Sequence, residues 1–109
     1  MKIYKVIFSD IAKDDLHDIV TYISQKESQK RAKHVERGIL STSKSLQRFP
    51  EGYPKDEYAS SETEIVRFAL KWKYKILFVI EKDIVQIVGI FHTAQNPNII
   101  KQIIVSHRP

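Results

Sequence analysis

From the amino terminus, apolar side chains fall first on alternate positions. Tyr4, Val6 and Phe8 share one side of an extended segment and Lys5 takes the other, so residues 2–8 read as a strand. Ser9 follows, a good N-cap because its hydroxyl accepts from a free helical N–H, with Asp10 near the positive helix end. The period then lengthens. Ala12, Leu16, Ile19, Val20 and Ile23 share one helical face, Lys13, Asp14, Asp18 and Thr21 lie off it, and the pattern fades over residues 24–28. A second helix is predicted over 29–48, with Ala32, Val35, Ile39, Ser43 and Leu46 inward and Lys30, Lys33, Arg37 and Lys44 on its other faces. Gly38 weakens it a little. Phe49-Pro50-Glu51-Gly52 ends it, since proline cannot continue the hydrogen-bond pattern and glycine permits a turn. Two helices joined by so short a link should pack as an antiparallel hairpin.

Residues 53–62 are polar and read as a loop. Three strands are predicted after it, at 63–70, 72–81 and 84–91, with Lys82-Asp83 as a tight turn between the last two. The runs Ile76-Leu77-Phe78-Val79-Ile80 and Ile84 to Ile90 are apolar on both faces, which calls for cover on both sides of the sheet. In the tail, Ile99, Ile100, Ile103 and Ile104 have the spacing of a short helix packed on the sheet. The order is β-α-α-β-β-β. It predicts an α+β fold: an N-terminal strand, an antiparallel helical hairpin, then a three-stranded antiparallel meander with a short C-terminal tail or helix. One domain is expected over residues 1–109, with 98–109 as its tail.

Composition narrows the function classes. The chain has no cysteine, which excludes disulfides, thiol catalysis and thiolate zinc ligands. His17, His34, His92 and His107 lack metal-ligand spacing, three glycines leave no phosphate loop, and no metal or cofactor is expected. No run approaches the roughly 20 apolar residues of a membrane span. The first residues lack the apolar core of a secretion signal, so a cytoplasmic protein is expected. Eighteen Lys and Arg against thirteen Asp and Glu give a net charge of +5, which favours an acidic partner such as nucleic acid, the ribosome or an acidic protein segment. Asp14, Asp15 and Asp18 read as a solvated patch on the first helix, because a helix surface supplies no cleft for paired carboxylates.

Several phrases resemble the RelE/ParE superfamily of toxins. The run from Ser9 to Ile23 is similar to the family's first helix, and Phe49-Pro50-Glu51-Gly52 to the break after its second. Ile65-Val66-Arg67 and Tyr74-Lys75-Ile76-Leu77-Phe78 resemble the central strand pair, and Ile87 to Thr93 the last strand and its exit. The likeness spans about residues 3–98. It implies a toxin of a type II toxin-antitoxin system, paired with a cognate antitoxin. RelE-like members are mRNA interferases, endoribonucleases that cut messenger RNA on the ribosome without a metal. ParE-like members are gyrase inhibitors, and both cause growth arrest. The helix and Phe-Pro-Glu-Gly phrases stand closer to the ParE branch.

Metal-free RNA cleavage needs a base, an acid and cations for the charge that develops. Under the resemblance, Lys75 matches a phosphate-binding arginine, His92 lies near a catalytic position, and Arg67 is the remaining cation of the first late strand. The expected catalytic set is His92, Arg67 and Lys75 on one face or rim, with His92 as acid or base and the two cations on phosphate. Lys71 and Lys73 with Tyr74 are the expected nucleic-acid contacts, since Lys71, Lys73 and Lys75 recur at strand period beside Trp72 and Tyr74. Plainer readings stand beside these: a surface histidine, an Arg67 pair with Glu62 or Glu64, a lysine-guarded edge strand, and Trp72 in the core or on the antitoxin. Two departures weaken the enzyme reading. Thr93-Ala94-Gln95-Asn96-Pro97 is uncharged where nucleases of the family carry more cations, and the usual basic pair of the first late strand is reduced to Arg67. The expectation leans to ribosome-dependent mRNA cleavage. A non-catalytic gyrase poison is the alternative, and a non-toxic module that only pairs with an antitoxin is the third.

Overall fold

The computed structural model describes residues 2–94. Strand β1 (Lys5–Phe8) leads into helices α1 (Asp10–Lys26) and α2 (Gln29–Ser45), followed by a 3-10 turn (Pro50–Gly52) and strands β2 (Arg67–Lys71), β3 (Tyr74–Glu81) and β4 (Ile84–His92). The caps explain the helix starts. Ser9 Oγ accepts from the Ala12 N–H at 3.1 Å, and Ser28 Oγ from the Arg31 N–H at 3.0 Å. Each such cap is worth about 1 kcal/mol.

The sheet order is β1-β4-β3-β2. β2, β3 and β4 form the expected antiparallel meander, and β1 joins it in parallel to β4, pairing Lys5 with Ile84 and Phe8 with Ile87. The helical hairpin covers one face. Its cluster holds Ala12, Ile23, Val35, Ile39 and Leu46 from the helices against Ile76, Phe78, Val85, Ile87 and Ile90. Fully buried side chains such as Phe78, Ile39 and Leu46 each contribute about 2 kcal/mol. The other face is covered by the segment between the 3-10 turn and β2, through Ala59 and Val66 against Leu77, Val88 and Phe91. That second layer is why the late strands are apolar on both sides.

Three sequence expectations shift. β2 begins at Arg67 rather than residue 63, because residues 60–66 fold back on themselves: Ser60 Oγ donates to the Val66 carbonyl and accepts its N–H. β3 begins at Tyr74 rather than 72, because Trp72 takes φ 52° and turns the chain into a second tight hairpin. Lys71, Lys73 and Lys75 therefore do not line one strand. Asp15 is half-buried rather than freely solvated. β4 carries a bulge, Leu77 facing Gly89 and Phe78 facing Ile87, so Val88 is an extra residue. Past the end of β1, Asp15 Oδ2 accepts the Ile90 N–H at 3.0 Å. The expected tail helix at 98–109 lies outside the described residues.

Candidate functional site at the Trp72 hairpin

Alternation along β3 separates the expected catalytic set. Tyr74 and Ile76 face the helices, so Lys75 faces the opposite layer. There its Nζ lies 2.8 Å from Oδ2 of Asp56, which is 2% exposed, and 4.5 Å from the centre of the Phe68 ring. Asp56 Oδ1 also accepts the Tyr58 and Ala59 N–H groups. Lys75 is thus committed to holding the covering segment. Arg67 stands opposite Phe78 on the helix-covered face, and its Nη1 donates to the Tyr53 carbonyl at 2.7 Å. The pairing with Glu62 or Glu64 is replaced by this carbonyl. His92 pairs with Tyr74, four residues and about 13 Å along β3 from Phe78. The three residues occupy three separate places, and the shared rim expected for them does not form.

What does gather is the other end of β3. The ring of His92 meets Tyr74 edge-on at 5.5 Å, and its Nδ1 accepts the Ala94 N–H at 3.0 Å. Two adjoining clefts open beside this pair. One, of about 500 Å³, is lined by Ile19, Tyr22, Ile23 and Tyr74 with Asp18 and Glu27 at its edge. The other, of about 440 Å³, is lined by Ile23, Glu27, Arg31, Val35, Trp72 and Lys73. Burial, and after it the Glu27 carboxylate, push the Tyr74 phenol above its ordinary pKa. At neutral pH that hydroxyl is a donor and not a base.

Trp72 fixes the hairpin to α2. Its ring lies 4.9 Å from that of His34, and a Cβ on Gly38 would fall 2.4 Å from two of its ring atoms. The bare surface of glycine is what lets the indole rest on the helix. Lys71 Nζ sits 4.6 Å from the indole centre. Lys71, Lys73, Tyr74 and His92 are therefore neighbours, through a turn rather than along one strand. Sequence reasoning missed the turn because Trp72 gives no turn signal. The i, i+4 pair His34 and Gly38 was the trace it left.

Among the described residues, no three His, Asp or Glu side chains come together as a metal set would need. No described helix is long and apolar enough to cross a membrane.

The model of the ParE toxin of type II toxin-antitoxin systems matches residues 6–97. No curated protein matches the sequence. Among solved structures, the chain is similar to one in the chromosomal ParDE toxin-antitoxin system from P. aeruginosa. That likeness has a TM-score of 0.69 and 19% identity, and covers 84% of this chain and 98% of the other. It is also similar to a chain in the toxin-antitoxin complex RelBE2 from Mycobacterium tuberculosis, with a TM-score of 0.64, 21% identity, and coverage of 87% and 97%. At such identities these likenesses speak for the fold, the β-α-α-β-β-β arrangement already described. The family match covers most of the sequence, and with it the chain belongs to the family of ParE toxins of type II toxin-antitoxin systems.

Proposed function

We propose that the chain arrests growth by binding DNA gyrase and holding it on cleaved DNA, and that a cognate antitoxin restrains it in the cytoplasm. The observation that carries this reading is the Lys75–Asp56 pair: the cation that RNA cleavage would need on phosphate is neutralised by a buried carboxylate on the far side of the sheet from His92. With Arg67 also committed to a backbone carbonyl, the expected set of His92, Arg67 and Lys75 does not stand within reach of one scissile bond. A toxin that works as a wedge between partners needs no such set. The net charge of +5 suits both a DNA-bound target and an acidic antitoxin segment.

A second reading, ribosome-dependent mRNA cleavage, draws on the grouping of Lys71, Lys73, Tyr74 and His92 at one hairpin. One experiment separates the two. After a pulse of expression, gyrase-linked double-strand breaks with intact messenger RNA are expected. Cuts in messenger RNA on ribosomes, abolished in His92→Ala, would establish the second reading. Growth that continues at high soluble expression would leave only a module that pairs with an antitoxin.

A further inference from the structure

The net positive charge of the chain is unevenly spread. Residues 26–37 hold Lys26, Lys30, Arg31, Lys33 and Arg37 against Glu27 and Glu36. At 100° per residue, Lys30, Arg31 and Arg37 lie within about 60° of His34 on α2. His34 is the residue on which Trp72 rests, so these three exposed cations lie on the side of α2 that meets the indole. Arg31 and Glu27 line one cleft with Trp72 and Lys73, and Lys71 lies against the indole. The positive end of α2 lies at the same end of the molecule.

This is a rigid display. Lys71 and Lys73 sit on a turn pinned by the seat of Trp72 on Gly38, and the others on a regular helix. The indole has His34 and Lys71 against its ring and is still 48% exposed, with the cations around it. The surface offers fixed charge. From Lys30 to Arg37 the helix advances about 10 Å, a length over which duplex DNA carries about six phosphates.

From this we infer that the rim around Trp72 binds the sugar–phosphate backbone of DNA, without regard to sequence. The inference deepens the gyrase reading, since a toxin acting on a DNA-bound enzyme would hold both, but its test needs no gyrase.

The test titrates the purified full-length protein with a labelled 20-base-pair duplex and with a single strand of the same length, each over a range of salt. Binding is followed by anisotropy and by the emission of Trp72, the only tryptophan. Duplex binding should weaken with a log–log salt slope of about −3 to −4 and should change the Trp72 emission. The double variant Arg31→Glu, Arg37→Glu should lose at least about 30-fold in affinity and about two units of slope. Lys5→Glu, Lys82→Glu makes the same change in net charge at the other end of the sheet and should lose less than about threefold. Equal losses in the two variants would reduce the effect to net charge and overturn the inference. So would absence of binding at low salt, or binding that leaves Trp72 emission unchanged. Matching thermal unfolding of the two variants guards against misfolding. Polyglutamate changing Trp72 emission as strongly as DNA would assign the rim to an acidic protein segment instead. Absence of DNA binding by the unchanged protein, with gyrase-linked breaks still formed in cells, would sink this inference and leave the gyrase reading standing.

Discussion

Asp56 and Asp15 are two carboxylates that fasten one piece of the molecule to another, and their surroundings differ in burial and in whether a cation is present. Asp56 is buried beneath the segment before β2 and ties it to β3 through Lys75 and two backbone N–H groups. Asp15 is half-buried on α1 and ties that helix to β4 through the Ile90 N–H. Asp56 has a cation and Asp15 has none among the described residues. Burial is the main cause that raises the Asp15 pKa to about 6; Asp18 and Asp14 raise it further, and the Ile90 hydrogen bond opposes. Asp56 is held by an ion pair and two hydrogen bonds. Asp15, half-buried with two other acids near it, is held by one hydrogen bond and takes up a proton more readily than a free carboxylate.

The largest test of this contrast is Asp56→Ala. It strands the Lys75 ammonium and two N–H groups together, and should cost about 3 kcal/mol, seen as a lower urea midpoint at unchanged slope. Lys75→Met keeps the apolar stem over Phe68 and removes only the charge. A loss of about 2 kcal/mol is expected at pH 7, because the Asp56 carboxylate stays buried without its cation. If Lys75→Met is neutral at every pH, the cation does not distinguish the two sites. The smallest effect is at Asp15. Its pKa is higher folded than unfolded, so the folded state binds more protons between pH 3.8 and about 6, and stability falls as pH rises through that window. Asp15→Asn keeps an oxygen for the Ile90 N–H and removes the titration. After allowance for its exposure, the variant should be more stable than the parent by about 1 kcal/mol at pH 7.5 and equal to it near pH 4. Paired melting curves at the two pH values decide it.

Neither carboxylate was legible in the sequence. Asp15 stands among helical acids, as a solvated residue does, and Asp56 stands in a polar stretch. What buries them is a bulge at Val88 and a covering segment, and both depend on contacts far along the chain. The helices were legible because a stripe such as Ala32, Val35, Ile39, Ser43 and Leu46 is written in the local period, and all five side chains are buried. Ser9 as a cap and Lys82-Asp83 as a turn were legible for the same reason. The parallel partnership of β1 with β4 was not, because alternation says that a strand exists and is silent about its neighbour. The expected meeting of Arg67, Lys75 and His92 failed on parity and on distance: Lys75 follows Tyr74, the partner of His92, and so faces the other layer, while Arg67 stands opposite Phe78, four residues along β3.

The union of β1 with β4 also sets the order in which a growing chain becomes a folded one. Lys5 waits for Ile84, and Phe8 for Ile87. The helical hairpin assembles from contacts between neighbours, whereas the sheet closes only across nearly the whole sequence, the slowest kind of contact to make. A nascent polypeptide halted before residue 84 has its two helices but no partner for its first strand. The finished molecule, and any harm it does, arrives late in its own synthesis.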